Sequence, residues 1–118
     1  MNAHIHLELG WIKNRIGSFK GFTKWLEQII GAKREGVSNQ EIEDSVSEGL
    51  KSQIECGVTT VGEISSYDGL DIPILKKSGL RTVLFREAVD SKEEIMDFDN
   101  FKTSPLYEER LFPHAPYS

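Results

Sequence analysis

The sequence predicts an α/β protein built from parallel βαβ units. Two observations carry the prediction. Strand-like and helix-like stretches alternate along the whole chain. The pattern Gly, aliphatic, any residue, Thr, Val also occurs twice, as Gly57-Val58-Thr59-Thr60-Val61 and Gly79-Leu80-Arg81-Thr82-Val83. Each copy follows a helical stretch and opens an apolar or β-branched run. Crossovers between such strands are right-handed. Four strands are expected, where a (β/α)8 barrel needs eight in about 250 residues. The 118 residues therefore read as one partial domain, roughly the first half of a barrel. A self-contained open sheet of the flavodoxin kind is the other arrangement the alternation allows, but it leaves the histidines described below without a reason.

Each element has its own signal. Ala3 to Leu9 alternates as a strand, with Ile5, Leu7 and Leu9 on one face and His4, His6 and Glu8 on the other. Gly10 to Gly17 reads as a loop. Ser18 to about Glu35 reads as a helix with Phe19, Phe22, Trp25, Leu26, Ile29 and Ile30 along one stripe. Ser38-Asn39-Gln40-Glu41 is a capping box, followed by Ile42, Val46, Leu50 and Ile54 at four-residue spacing and by Gly57 as a left-handed stop. Val58 to Ile64 and Arg81 to Glu87 are the next two strands. Between them Leu70 to Lys77 forms a short helix that admits Pro73 only in its first turn. A helix opening at Ser91-Lys92-Glu93-Glu94 fades before Ser104-Pro105, and a fourth strand starts near Arg110 and runs into a loop ending at Ser118.

Composition narrows the function. Hydrophobic residues at 38% and charged residues at 28% suit a soluble globular domain. A net charge of −5 leaves no basic surplus for phosphate contacts, so nucleic acid is excluded as a partner. No apolar run reaches membrane-spanning length, and no leader is expected ahead of the first residues. The single cysteine, Cys56, forms no internal disulfide and is expected to be a buried structural thiol in a cytoplasmic protein.

The chemistry sits in NAHIHLEL, residues 2–9, which holds two of the three histidines. Residues i and i+2 of a strand share a face, so His4 and His6 project side by side and can reach one metal ion at about 2.0–2.1 Å per bond. Glu8 continues that face and can orient a ligand imidazole from behind. The plainer reading is a pair of polar residues on a solvated face. His114 lies at the end of the fourth strand, where it either faces the same barrel mouth or sits as loop structure between Pro113 and Pro116; spacing alone leaves both open. Asp68, Asp71 and Asp90 read as caps or turn residues.

NAHIHLEL, GVTTVGEI, LFREAVDS and PHAPYS, in this order, resemble the first half of the catalytic barrel of the metal-dependent amidohydrolase superfamily. The branch is that of the chlorohydrolases and aminohydrolases, which includes deaminases of nucleosides, guanine and aminofutalosine. The resemblance covers essentially the whole chain. It implies that His4 and His6 are strand-one metal ligands and that His114 contacts substrate rather than metal. It also implies that Arg86 meets an anionic part of the substrate and that Trp25 is an aromatic wall over the pocket. A salt bridge near Glu87 and plain helix packing are the alternatives for these two. Thr23 departs from the acidic residue that often stands there, two places before the aromatic.

The resemblance further implies one divalent metal, zinc or iron, that lowers the pKa of a water, and hydrolysis of a C–N bond in a small-molecule amine or amide. Members of the superfamily usually add a β-sandwich domain, a later metal-binding histidine, a catalytic glutamate and histidine, and a late aspartate. None of these is expected within the 118 residues. The chain alone is therefore expected to bind metal weakly and to be inactive. A different reading is a non-catalytic module that forms a homo-oligomer, or completes a barrel with a partner chain, through its exposed strand edges.

Overall fold

A computed structural model describes residues 1–18, 20–88 and 103–113. The strands are β1 (Asn2–Ile5), β2 (Thr60–Ser65), β3 (Arg81–Ala88), β4 (Thr103–Ser104) and β5 (Tyr107–Pro113). The α-helices are α1 (Phe22–Glu35), α2 (Asn39–Glu55) and α3 (Ile72–Lys77), and a 3-10 segment spans Leu7–Asn14. One sheet holds all the strands in the order β1-β2-β3-β5-β4. β1, β2, β3 and β5 are mutually parallel, and the two-residue β4 returns antiparallel on β5. The two copies of the Gly-aliphatic-x-Thr-Val pattern open neighbouring strands but are one residue out of step: Thr60 pairs with Arg81 and Val61 with Thr82.

Local chemistry explains the elements. The capping box of α2 is complete. Ser38 Oγ accepts from the Glu41 backbone N–H, and the Glu41 carboxylate accepts from the Ser38 N–H at 3.1 Å. Ile42, Val46 and Leu50 are buried along its inner face, while Ile54 in the last turn is exposed. Gly57 and Gly79, which end α2 and the turn after α3, both sit at φ 74°, in the left-handed region that a side chain disfavours. Pro73 occupies the first turn of α3, where no helical N–H bond is lost.

The buried apolar residues form two clusters, of which the first covers one side of the sheet. Val61, Leu84 and Tyr107, from three adjacent strands, pack with Leu7, Val46, Leu50 and Leu75. Trp11, Ile12, Ala32 and Ile42 form the second cluster, where the 3-10 segment meets α1 and α2. Close approach of that segment to α2 depends on small residues. A Cβ on Gly49 would lie 2.6 Å from Leu7 Cδ2, and one on Gly10 would lie 3.2 Å from Ser45 Cβ. No described helix is long and apolar enough to cross a membrane.

Several expectations change. Most of Gly10 to Gly17, expected as a loop, belongs to the 3-10 segment, Cys56, expected to be buried, is exposed just after α2, and the last strand starts at Tyr107 rather than near Arg110. The first strand stops at Ile5 rather than Leu9, because the backbone turns into the 3-10 segment at Leu7. The first helix starts at Phe22 rather than Ser18, with Gly21 at φ 85° preceding it. The short β4 was not anticipated, and the helix expected from Ser91 lies outside the described residues.

Candidate active site

β1 delivers the histidines. His4 lies on the strand, and His6 follows it as the residue that opens the 3-10 segment, with φ −119° and ψ 78°. Their ring centroids are 5.3 Å apart at an interplanar angle of 68°. Both line a cavity of about 660 Å³ on the sheet face opposite Val61 and Leu84, and Ile12 and Ile29 of the second apolar cluster line it too. Ile64 of β2, Glu87 of β3 and Phe112 of β5 come to the same cavity from successive strands, as alternation dictates. The Phe112 ring stands 6.1 Å from His4 and 5.6 Å from Phe85, centroid to centroid. The other wall is α1, which contributes Phe22, Trp25, Leu26 and Ile29, with the Phe22 and Trp25 centroids 5.6 Å apart.

The imidazole environment suits ligation. Burial, and next the neighbouring His4, lower the pKa of His6, while Glu87 and the Ile64 backbone act the other way. The neutral form, the one that binds metal, is therefore favoured. His6 Nδ1 is buried without a hydrogen-bond partner among the described residues. An orphaned ring nitrogen beside a second imidazole fits a two-histidine share of a metal site. No cluster of three or more His, Cys, Asp or Glu able to hold a metal occurs among the described residues.

The opposite face of the sheet carries a set of buried acids. Glu63 is fully buried, and its carboxylate accepts from the Leu7 N–H at 2.9 and 3.1 Å and from the Glu8 N–H at 3.5 Å. Glu8, also fully buried, accepts from the Ser66 N–H at 2.8 Å, the Ser66 hydroxyl at 2.5 Å and the Tyr67 N–H at 3.3 Å. Asp71 accepts from the Ser65 hydroxyl at 3.0 Å. Glu109 accepts from the Tyr107 hydroxyl at 2.9 Å and pairs with Arg86 at 3.1 Å. Burial pushes the Glu8 carboxyl up to about 7 and that of Glu63 up to about 9, against the pull of their N–H donors.

No protein-family profile matches the chain. An adenosine deaminase of Helicobacter pylori is 30% identical over the whole chain, which spans 30% of that protein. An aminodeoxyfutalosine deaminase of Nitratiruptor is likewise 30% identical over 99% of the chain and 31% of its own length. The crystal structure of Helicobacter pylori aminofutalosine deaminase, in complex with methylthio-coformycin, superposes with a TM-score of 0.77 at 26% identity, covering 99% of this chain and 30% of that one. The chain is similar along its whole length to these deaminases. It spans about 30% of the length of the relatives it matches, and its parallel βαβ units form part of their (β/α)8 barrel.

The structure sorts the residues singled out from sequence. His4, His6 and Trp25 come together around one cavity. Glu8 does not continue the histidine face. Because the strand ends at Ile5, Glu8 falls on the 3-10 segment and its carboxylate binds the Ser66–Tyr67 backbone instead of an imidazole. Arg86 also lies away from the histidines. It alternates with Phe85 and Glu87 on β3, so it points to the helix side, where it pairs with the buried Glu109 rather than with Glu87. His114 lies outside the described residues. Sequence reasoning missed Glu63, Glu87 and Phe112. The signal for Glu63 was present as an acid inside the apolar run Val61 to Ile64.

Proposed function

We propose that this chain forms the histidine-pair side of the active site of a metal-dependent hydrolase of C–N bonds, of the deaminase type. The observation that carries the reading is the juxtaposition of His4 and His6, in one cavity, with an aromatic wall from α1. In this reading the two imidazoles hold one divalent ion, zinc or iron. When bound, such an ion supplies a nucleophilic water at near-neutral pH.

The chain's own side chains do the rest. Burial keeps His6 in the neutral form, so no proton must leave before it ligates. Trp25 and Phe22 offer ring faces on which a planar heteroaromatic amine stacks. Leu26, Ile29 and Phe112 exclude water from the space between that wall and the histidines. The names of the relatives, and the coformycin ligand of the related structure, favour a nucleoside-like amine as substrate. His114 remains the substrate contact at the end of β5 in this reading, whereas Arg86 and Glu8 take no part in the pocket. Two imidazoles are too few to hold a metal tightly. The 118-residue chain is therefore expected to bind it weakly and not to turn over.

Calorimetric titration with Ni(II), which imidazole ligands favour over softer or harder donors, tests the reading. One weak site is expected, and both His4→Ala and His6→Ala should abolish it. Unchanged binding in either variant would overturn the assignment.

A further inference from the structure

We infer that Glu63 is a positioning residue for His6, acting through the backbone from the far face of the sheet. This rests on the proposed role of the histidine pair.

β1 is four residues long and, among the described residues, pairs with β2 alone, so its ladder holds it weakly. The chain leaves the strand at His6 and enters the 3-10 segment, whose first N–H groups have no partner within it. Glu63 supplies the partner. It rises from β2 on the helix-facing side, fully buried, and takes the N–H groups of Leu7 and Glu8, the two residues directly after His6. No side chain of the opening turn provides this cap; His6, at the N-cap position, makes none.

The hold is reciprocal. Glu8, pinned by Glu63, uses its own carboxylate to take Ser66 and Tyr67, the residues that follow β2. Each strand end is thus gripped by an acid from the other. Between the two grips, His6 has a fixed backbone and a buried ring whose Nδ1 lacks a partner. The arrangement parallels a metal site in which outlying groups set the orientation of a ligand imidazole, except that here the link is main chain rather than the second ring nitrogen.

The test compares Glu63→Ala, Glu63→Gln and Val61→Ala in the 118-residue chain, with Ni(II) as the probe. Val61 lies on the same strand and the same side, fully buried in the cluster that also holds Leu7, but makes no hydrogen bond in the clasp, so it controls for lost packing alone. Glu63→Ala should weaken Ni(II) binding by at least about 10-fold. Glu63→Gln, which keeps one acceptor oxygen, should recover part of the loss. Val61→Ala should lower thermal stability yet leave the affinity unchanged. Wild-type affinity in Glu63→Ala, or an equal loss in Val61→Ala, would overturn the inference. Should Glu63→Ala fail to fold, Glu63→Gln decides by the same comparison. If the unsubstituted chain shows no Ni(II) site dependent on His4 and His6, the metal reading fails separately. The clasp is then judged by NMR of the His6 ring. Exchange-broadened or multiple ring signals in the Glu63 variants, against one sharp set in the parent, support it, and identical spectra refute it.

Discussion

Gly62→Ala should push the histidine-bearing strand off the sheet. Gly62 lies in the middle of β2, on the side that carries Ile64 into the cavity. The pairing opposite it is irregular. Asn2 aligns with Val61 and Ile5 with Glu63, so β1 takes three steps where β2 takes two. The extra residue bows the β1 backbone toward Gly62. A Cβ added there would lie 2.9 Å from the Ala3 carbonyl carbon and nearer still to its oxygen. Both are main-chain atoms and cannot rotate away.

Ordinary contact needs about 3.5–4.0 Å, so β1 must retreat by roughly 1 Å. A ladder bond of about 2.9 Å then opens to about 3.9 Å and ceases to count. Overpacking costs about 1–3 kcal/mol and each lost bond about 1 kcal/mol, so a total near 3 kcal/mol follows. For a chain of this size that is a fall in Tm of about 12 °C, read by circular dichroism. Weaker Ni(II) binding should accompany it, since both histidines ride on the displaced strand. A Tm within about 2 °C of the parent would refute the reasoning, because it would mean that β1 and β2 do not approach this closely.

Gly31→Ala is the contrasting case. Gly31 lies inside α1 with nothing within 4 Å of an added Cβ, so a gain of about 0.5–1 kcal/mol is expected in urea unfolding. Ser38→Ala removes the cap of α2 and should cost about 1 kcal/mol by the same measurement. The last prediction concerns pH. Glu63 is raised from 4.5 to about 9, chiefly by burial and next to Asp71 and Glu8, so folding favours its neutral form. That contribution is complete below pH 4.5 and is lost as pH rises through 9. Between pH 7 and 9 the parent should lose up to about 1.4 kcal/mol per pH unit from this group. Glu63→Gln should flatten the slope, and a parent that gains stability over the interval contradicts the assignment.

The features legible in the sequence are those decided by neighbours in the chain. The capping box at Ser38, the left-handed stop at Gly57 and Pro73 in a first turn each depend on residues a few places away. The alternation of elements then implies parallel strands without further information. The end of β1 was not legible, because His-Leu-Glu-Leu keeps a strand's alternation while the structure makes it a 3-10 turn. What decides is Glu63, 56 residues from the Leu7 N–H that it caps. The stripe on α1 was legible in period but not in use. Phe22 and Ile30 stay exposed and Trp25 only half-buried, since the stripe walls a cavity rather than meeting a core. Arg86 was misplaced for a related reason. Its partner Glu109 is 23 places on, and only the register of β3 with β5 brings them to one side.

The placement of the candidate site therefore depends more on β2 than on the strand that bears the histidines. Among the described residues β1 stands at the edge of the sheet, and its four residues are too few to be held by their ladder alone. β2 sets its distance through Gly62 and its exit through Glu63. Exposed positions of β1 itself, such as Ala3, carry no comparable restraint from their side chains. Substitutions at Gly62 and Glu63 should thus disturb metal binding more than Ala3→Ser does, although neither β2 residue lines the cavity that the histidines face. A larger effect from Ala3→Ser would place the control of the site within β1 and remove the reason for a buried acid at Glu63.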